Sequence, residues 1–255
     1  MTRHTLDRRT FVRGLTAACT LAVAGCTSRG TGGGGGDPTS AADPTDTTTG
    51  TTATTTAAGP DTVDLPPPEN YERLRQADVS YPIYGEELPE ATVQEPLLGE
   101  PMSTRAFVGE RLTLLTFIYT RCGSICPALT ANLVQVQADA AERGYSDQVA
   151  LFPMTFDPEH DTPERLREFG EARGADVDAE NWHFLEPATE QRVQEVVVDT
   201  FGHPFQESPK EEGMPFLHNP TLILANERGY IERTYANTVP DPSTVVADVR
   251  TLVEG

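Results

Sequence analysis

Phe117-Ile-Tyr-Thr-Arg-Cys122-Gly-Ser-Ile-Cys126-Pro127 is the stretch whose reading decides the fold. Upstream of Cys122, the apolar, β-branched and aromatic run from Leu114 to Tyr119 reads as a buried strand. Downstream, a helix pattern begins at Cys126. Pro127 suits a first helical position, and Leu129, Leu133, Val136 and Ala140 recur at helical spacing. Both sulfurs therefore sit where a strand ends and a helix begins. There the helix dipole and its unpaired N–H groups favour thiolate over thiol. Thiolates four positions apart can close a disulfide or clamp one soft metal ion. Two buried structural cysteines are the plainer alternative.

The remaining cysteines, Cys19 and Cys26, point to export. Asp7-Arg-Arg-Thr-Phe-Val-Arg13 resembles a twin-arginine signal, and the apolar stretch Gly14 to Gly25 is too short to span a bilayer. It ends in Val23-Ala-Gly-Cys26, which looks like a lipoprotein cleavage box with Cys26 as the lipidated first residue. Residues 1–25 read as the signal peptide, and Cys19 leaves with it. The alternative is a cytosolic protein with a disordered basic start. In the exported reading only Cys122 and Cys126 remain as free thiols, outside the reducing cytosol and on the outer face of the cytoplasmic membrane.

Acidic residues outnumber basic ones 39 to 19, for a net charge of −20, and the sole lysine is Lys210. The signal region carries a net positive charge, so the mature chain is more negative still. A carboxylate coat with arginine in place of lysine suits work in concentrated salt, where repulsion is screened. It argues against nucleic acid, whose phosphates need a basic face. A cation store is the competing reading, but the acids are scattered rather than clustered.

Residues 26–68, rich in Gly, Thr, Ala and Pro, cannot bury a core and read as a disordered tether. Residues 69–255 read as one compact domain. Two short strands fall within 91–111, a strand over 112–119, a helix over 127–143 and a strand over 149–156. A helix over 163–173, a short strand 182–185 and a helix 189–201 follow. Thr221–Ala225 and Tyr230–Tyr235 form a hairpin around Asn226-Glu-Arg-Gly229, and a last helix covers 243–254. A βαβ crossover, then a terminal hairpin and helix, is the order of a thioredoxin-like α/β fold, a central sheet flanked by helices.

Over residues 90–255 the chain resembles the Sco/SenC family of exported, membrane-tethered copper chaperones for cytochrome oxidase. Three marks in order carry the resemblance: Cys122-Gly-Ser-Ile-Cys126-Pro127, Asp157-Pro-Glu-His-Asp-Thr-Pro163, and His218 before the strand Thr221–Ala225. The family implies a thioredoxin-like fold, copper as cofactor, and an oxidase copper-site subunit as partner. It implies Cys122, Cys126 and His218 as metal ligands, with Cu(I) or Cu(II) as the bound state and the two cysteines as a redox pair. The donor chemistry agrees: soft thiolates select Cu(I), imidazole is an acceptable third donor, and zinc in a closed site wants a fourth ligand. Met214 is better read as a loop residue filling a gap than as a thioether ligand, and His203 as a surface or turn histidine. The 157–163 motif reads as scaffold. Asp161 or Thr162 caps a helix, His160 is exposed, and Asp157 lies close to the site.

Two other functions stay open. Pro220-Thr221 stands where thioredoxins carry a cis-proline that shapes a peptide-binding edge, which keeps thiol–disulfide oxidoreductase activity as the alternative to copper delivery. A peroxide-reducing enzyme is weaker, because no counterpart of its activating threonine and arginine is visible.

Overall fold

The computed structural model describes residues 62–77, 79–208 and 215–255. The signal peptide, Cys19, Cys26, most of the tether, Lys210 and Met214 lie outside them. The elements in chain order are α1 (Tyr71–Gln76), β1 (Thr92–Glu95), β2 (Glu100–Ser103), β3 (Leu112–Ile118), α2 (Ile125–Arg143) and β4 (Val149–Thr155). There follow α3 (Pro163–Glu171), α4 (Glu190–Val193) continuing as π-helical turns over Gln194–Thr200, β5 (Phe205–Glu207) and β6 (Phe216–His218). β7 (Thr221–Ala225), β8 (Ile231–Ala236) and α5 (Pro242–Glu254) complete the domain.

The central sheet runs β4-β3-β7-β8, with β3 and β4 parallel and β7 antiparallel to both β3 and β8. Every residue of β3, β4 and β7 is buried. That is why these strands read as near-continuous apolar and β-branched runs rather than alternating ones. The short stretch 182–185 lengthens the sheet beside β4, with bridges Leu151 to Trp182 and Met154 to Leu185. α2 fills the β3–β4 crossover and buries Leu129, Leu133, Val136 and Ala140. Gly144, at φ 79°, ends it in the left-handed conformation and donates to the Ala140 carbonyl at 2.8 Å.

The fold departs from the sequence expectations in several places. α2 begins at Ile125, two residues early, so Cys126 lies inside its first turn. The helix expected over 189–201 is α-helical for four residues and then π-helical, where β-branched Val196, Val197 and Val198 crowd an α-helix. The hairpin of β5 and β6 was not expected; its register sets Phe205 opposite His218. Residues 62–68, assigned to the tether, lie against the domain: Leu65 is buried, and the Asp64 and Leu65 N–H groups donate to the buried Glu232 carboxylate at 2.8 and 2.9 Å.

Candidate metal centre

Site construction begins at the end of β3. The Cys122 N–H donates to the Tyr119 carbonyl at 3.1 Å, closing a turn, and Ser124 then opens α2. In that helix's first turn the Cys126 N–H donates to Cys122 Sγ at 3.4 Å. From the far side His218, the last residue of β6, brings its Nε2 to 3.6 Å from Cys126 Sγ. Sγ of Cys122, Sγ of Cys126 and a His218 ring nitrogen all lie within 4.8 Å of one another. Cys126 is fully buried, Cys122 is 4% exposed and His218 half-buried, so the cluster opens to solvent at one edge.

The two sulfurs are electrostatically unequal. A hydrogen bond from the Cys126 thiol holds Cys122 far below an ordinary thiol, at about 3, against the opposing cost of burial. His218 and the N–H groups of Cys126 and Ser124 lower it further. Burial and the adjacent Cys122 sulfur push Cys126 far upward, so it keeps its proton. The metal-free pair is one thiolate and one thiol. Tyr119 is raised by burial and by the neighbouring sulfurs, stays neutral, and donates its hydroxyl to the Phe216 carbonyl at 2.9 Å. That bond ties β6 to the end of β3.

Two carboxylates fix the loop that carries Cys122. Asp161, fully buried, accepts from the Thr120 N–H at 3.0 Å and from the hydroxyls of Thr120 and Thr155. It thereby staples the ends of β3 and β4, while Thr162 alone caps α3 by accepting from the Arg165 N–H. Asp157 pairs with Arg121, the residue before Cys122, at 2.6 Å. The scaffold reading of the 157–163 motif describes both contacts. His160 is half-buried rather than exposed, with its ring 3.1 Å from the Arg165 guanidinium.

His203 corrects the sequence expectation most sharply. It is not a surface histidine: its side chain is buried, stacked on Phe117 with ring centroids 4.3 Å apart. Its Nδ1 lies 3.2 Å from Thr221 Oγ1 and its Nε2 lies 3.2 Å from His218 Nδ1. Burial depresses its pKa to about 3, so the ring is neutral. Gly202 is the cause. At φ 60° its backbone packs so closely on Ser80 that a Cβ would meet the Ser80 carbonyl oxygen at 1.9 Å, and the tight turn feeds His203 inward. The sequence signal was the flanking Phe201 and Phe205. The described residues contain no cis peptide bond, so the bond before Pro220 is trans.

Residues 97–254 match the sequence profile of the SCO1/SenC family, a span that contains all three donors. Over 153 residues the chain is 25% identical to the SCO1 protein homolog of Bacillus subtilis (strain 168), covering 60% of this chain and 76% of that one. A SCO1/SenC family lipoprotein from Bacillus anthracis superposes with a TM-score of 0.54 at 23% identity, covering 66% of this chain and 95% of the other. Yeast Sco1, solved with copper bound, superposes with a TM-score of 0.51 at 17% identity, over 66% of this chain and 90% of its own. These superpositions establish the mixed α/β, thioredoxin-like fold. No helix among the described residues is long and apolar enough to cross a membrane.

Proposed function

The chain belongs to the SCO1/SenC family, and on that premise we propose that it is an exported, membrane-tethered metallochaperone that binds Cu(I) and delivers it to a cytochrome oxidase copper site. The observation that carries this reading is the convergence of two sulfurs and one imidazole within 4.8 Å at a solvent-facing edge. Two soft sulfurs with one nitrogen fit Cu(I), and three donors with an open edge fit cargo that must leave again. A closed structural zinc site draws four ligands, and the cluster formed by the described residues offers three. The copper-bound yeast relative supports the choice of metal.

Copper is cargo here, and the protein's work is to present donors. Cys122 is already a thiolate; Cys126 must surrender its proton as the metal arrives; His218 offers Nε2 from the facing hairpin. The anchor belongs to the same proposal. Arg8-Arg9 and Val23-Ala-Gly-Cys26 direct export and lipidation at Cys26, and the Gly- and Thr-rich tether gives the domain reach from the outer face of the membrane. The lipoprotein from Bacillus anthracis supports that placement.

Thiol–disulfide exchange with the client's cysteines is the second reading, favoured by the inequality of the two sulfurs: a thiolate beside a protonated thiol is how a dithiol reductant is arranged. Oxidase activity in cells carrying His218→Ala, measured with and without added copper, separates the two. Delivery predicts impaired activity that copper partly restores. Full activity in His218→Ala, alongside a loss in Cys122→Ser that copper cannot restore, would make exchange the function.

A further inference from the structure

We infer that His203 is a positioning residue for His218: when a metal takes the place of the proton that His218 turns to the sulfurs, Nε2 of His203 accepts a hydrogen bond from His218 Nδ1–H, which holds the bare Nε2 of His218 toward the sulfurs. Both the hydrogen-bond direction and its functional consequence rest on the copper-binding reading, because only metal binding requires His218 Nε2 to be bare. Three groups form a line, Thr221 Oγ1 to His203 Nδ1 at 3.2 Å and His203 Nε2 to His218 Nδ1 at 3.2 Å, ending in His218 Nε2 at 3.6 Å from Cys126 Sγ. The stack on Phe117, with planes 17° apart, and the T-shaped contact with His218, at 5.3 Å between centroids, hold the rings in that line.

An imidazole carries one proton when neutral, so the proton's place on one ring dictates its place on the next. If His203 donated from Nε2, a neutral His218 would hold its proton on Nε2, facing the sulfurs, and could not offer that atom to a metal. If His203 accepts there, its proton lies on Nδ1 and goes to the Thr221 hydroxyl, which can accept it. A histidine that binds metal through one nitrogen ordinarily donates the other N–H to a carboxylate, carbonyl or water, which fixes its tautomer and orientation. Here the acceptor is a second imidazole. That choice fits the interior, because a neutral ring needs no counter-charge where a carboxylate would. Thr221 belongs to β7, so the orientation of His218 is referred to the rigid sheet and not only to its own short hairpin.

The test is nitrogen-15 NMR of the histidine rings in the reduced full chain loaded with Cu(I) at neutral pH, combined with Cu(I) competition titrations. His203 should show a protonated Nδ1 and a bare Nε2; a protonated Nε2 on His203 in the loaded chain would overturn the inference. His203→Phe keeps a ring against Phe117 and removes the acceptor, and should weaken Cu(I) binding about 10–100-fold. His203→Gln places an amide oxygen near the lost nitrogen and should restore most of that loss, which a merely space-filling role would not predict. Should His203→Phe fail to fold, the ring assignment in the unmodified chain decides. Unchanged Cu(I) binding in His203→Phe, with tight binding by the parent, would refute the positioning role alone. Equal Cu(I) binding by the parent and Cys122→Ser would refute the copper reading, an outcome distinct from a protonated His203 Nε2 in a chain whose Cu(I) binding does depend on Cys122.

Discussion

The Nε2 of His218 lies 3.6 Å from the sulfur of Cys126, although 92 residues separate them in the chain. One group comes from the first turn of α2, the other from the end of β6. Neither element makes a site alone. β3 and β7 pair directly, so the strand that precedes the cysteines and the one that follows the histidine hold them face to face.

The inequality of the sulfurs has a consequence for pH. Cys122 enters binding without a proton and Cys126 with one, so each metal ion should displace about one thiol proton near neutral pH. Protons compete with the metal for Cys126, so Cu(I) affinity should rise about tenfold per pH unit between about 6 and 8. Competition titrations across that range, with a chelator of known pH dependence, check the slope. A flat profile would mean that both thiols are already ionised.

Alkylation should divide the pair in the same way. At pH 5 the Cys122 thiolate should react with iodoacetamide while Cys126 stays unmodified, because the thiolate is the nucleophile. Peptide mass mapping reads the ratio, and comparable labelling of both would contradict the assignment.

Gly202→Ala tests the turn that brings His203 inward. A methyl group there would meet the Ser80 carbonyl oxygen at 1.9 Å on a backbone at φ 60°. The substitution should destabilise the domain by more than about 2 kcal/mol, a magnitude usual for combined backbone strain and overpacking. Urea unfolding measures it, and the His203 ring resonances should shift with it.

Glu232→Ala tests the docking of residues 62–68. The carboxylate accepts from two backbone N–H groups and from Asn226 Nδ2, all in buried or part-buried surroundings. Losing it strands those donors at about 1–3 kcal/mol and should expose the segment to proteolysis near Leu65. Limited digestion, with Glu232→Gln as the milder comparison, gives the answer.

Much of this arrangement was legible in the residues. The β3–α2 junction announced itself because a fully buried strand reads as a near-continuous apolar and β-branched run, and the period changes from strand to helix across five residues. His218 was reached through the family resemblance, since a lone histidine before a strand carries no chemistry of its own. The β5–β6 hairpin was hidden because strands of three residues are too short to show a period. His203 was misread because its burial depends on Gly202 meeting Ser80, a contact spanning 122 residues that no local pattern encodes. Residues 62–68 escaped for a related reason: they dock largely through backbone groups, N–H on Glu232 and carbonyls on Asn226, Tyr84 and Arg233, which composition cannot reveal.

The most direct test of the central claim is X-ray absorption spectroscopy of the reduced full chain loaded with Cu(I). The account predicts one copper per chain with two sulfur neighbours and one imidazole nitrogen. In His218→Ala the nitrogen shell should disappear and the sulfur shell remain; in Cys122→Ser one sulfur should be lost. A copper shell that is the same in the parent, His218→Ala and Cys122→Ser would contradict it.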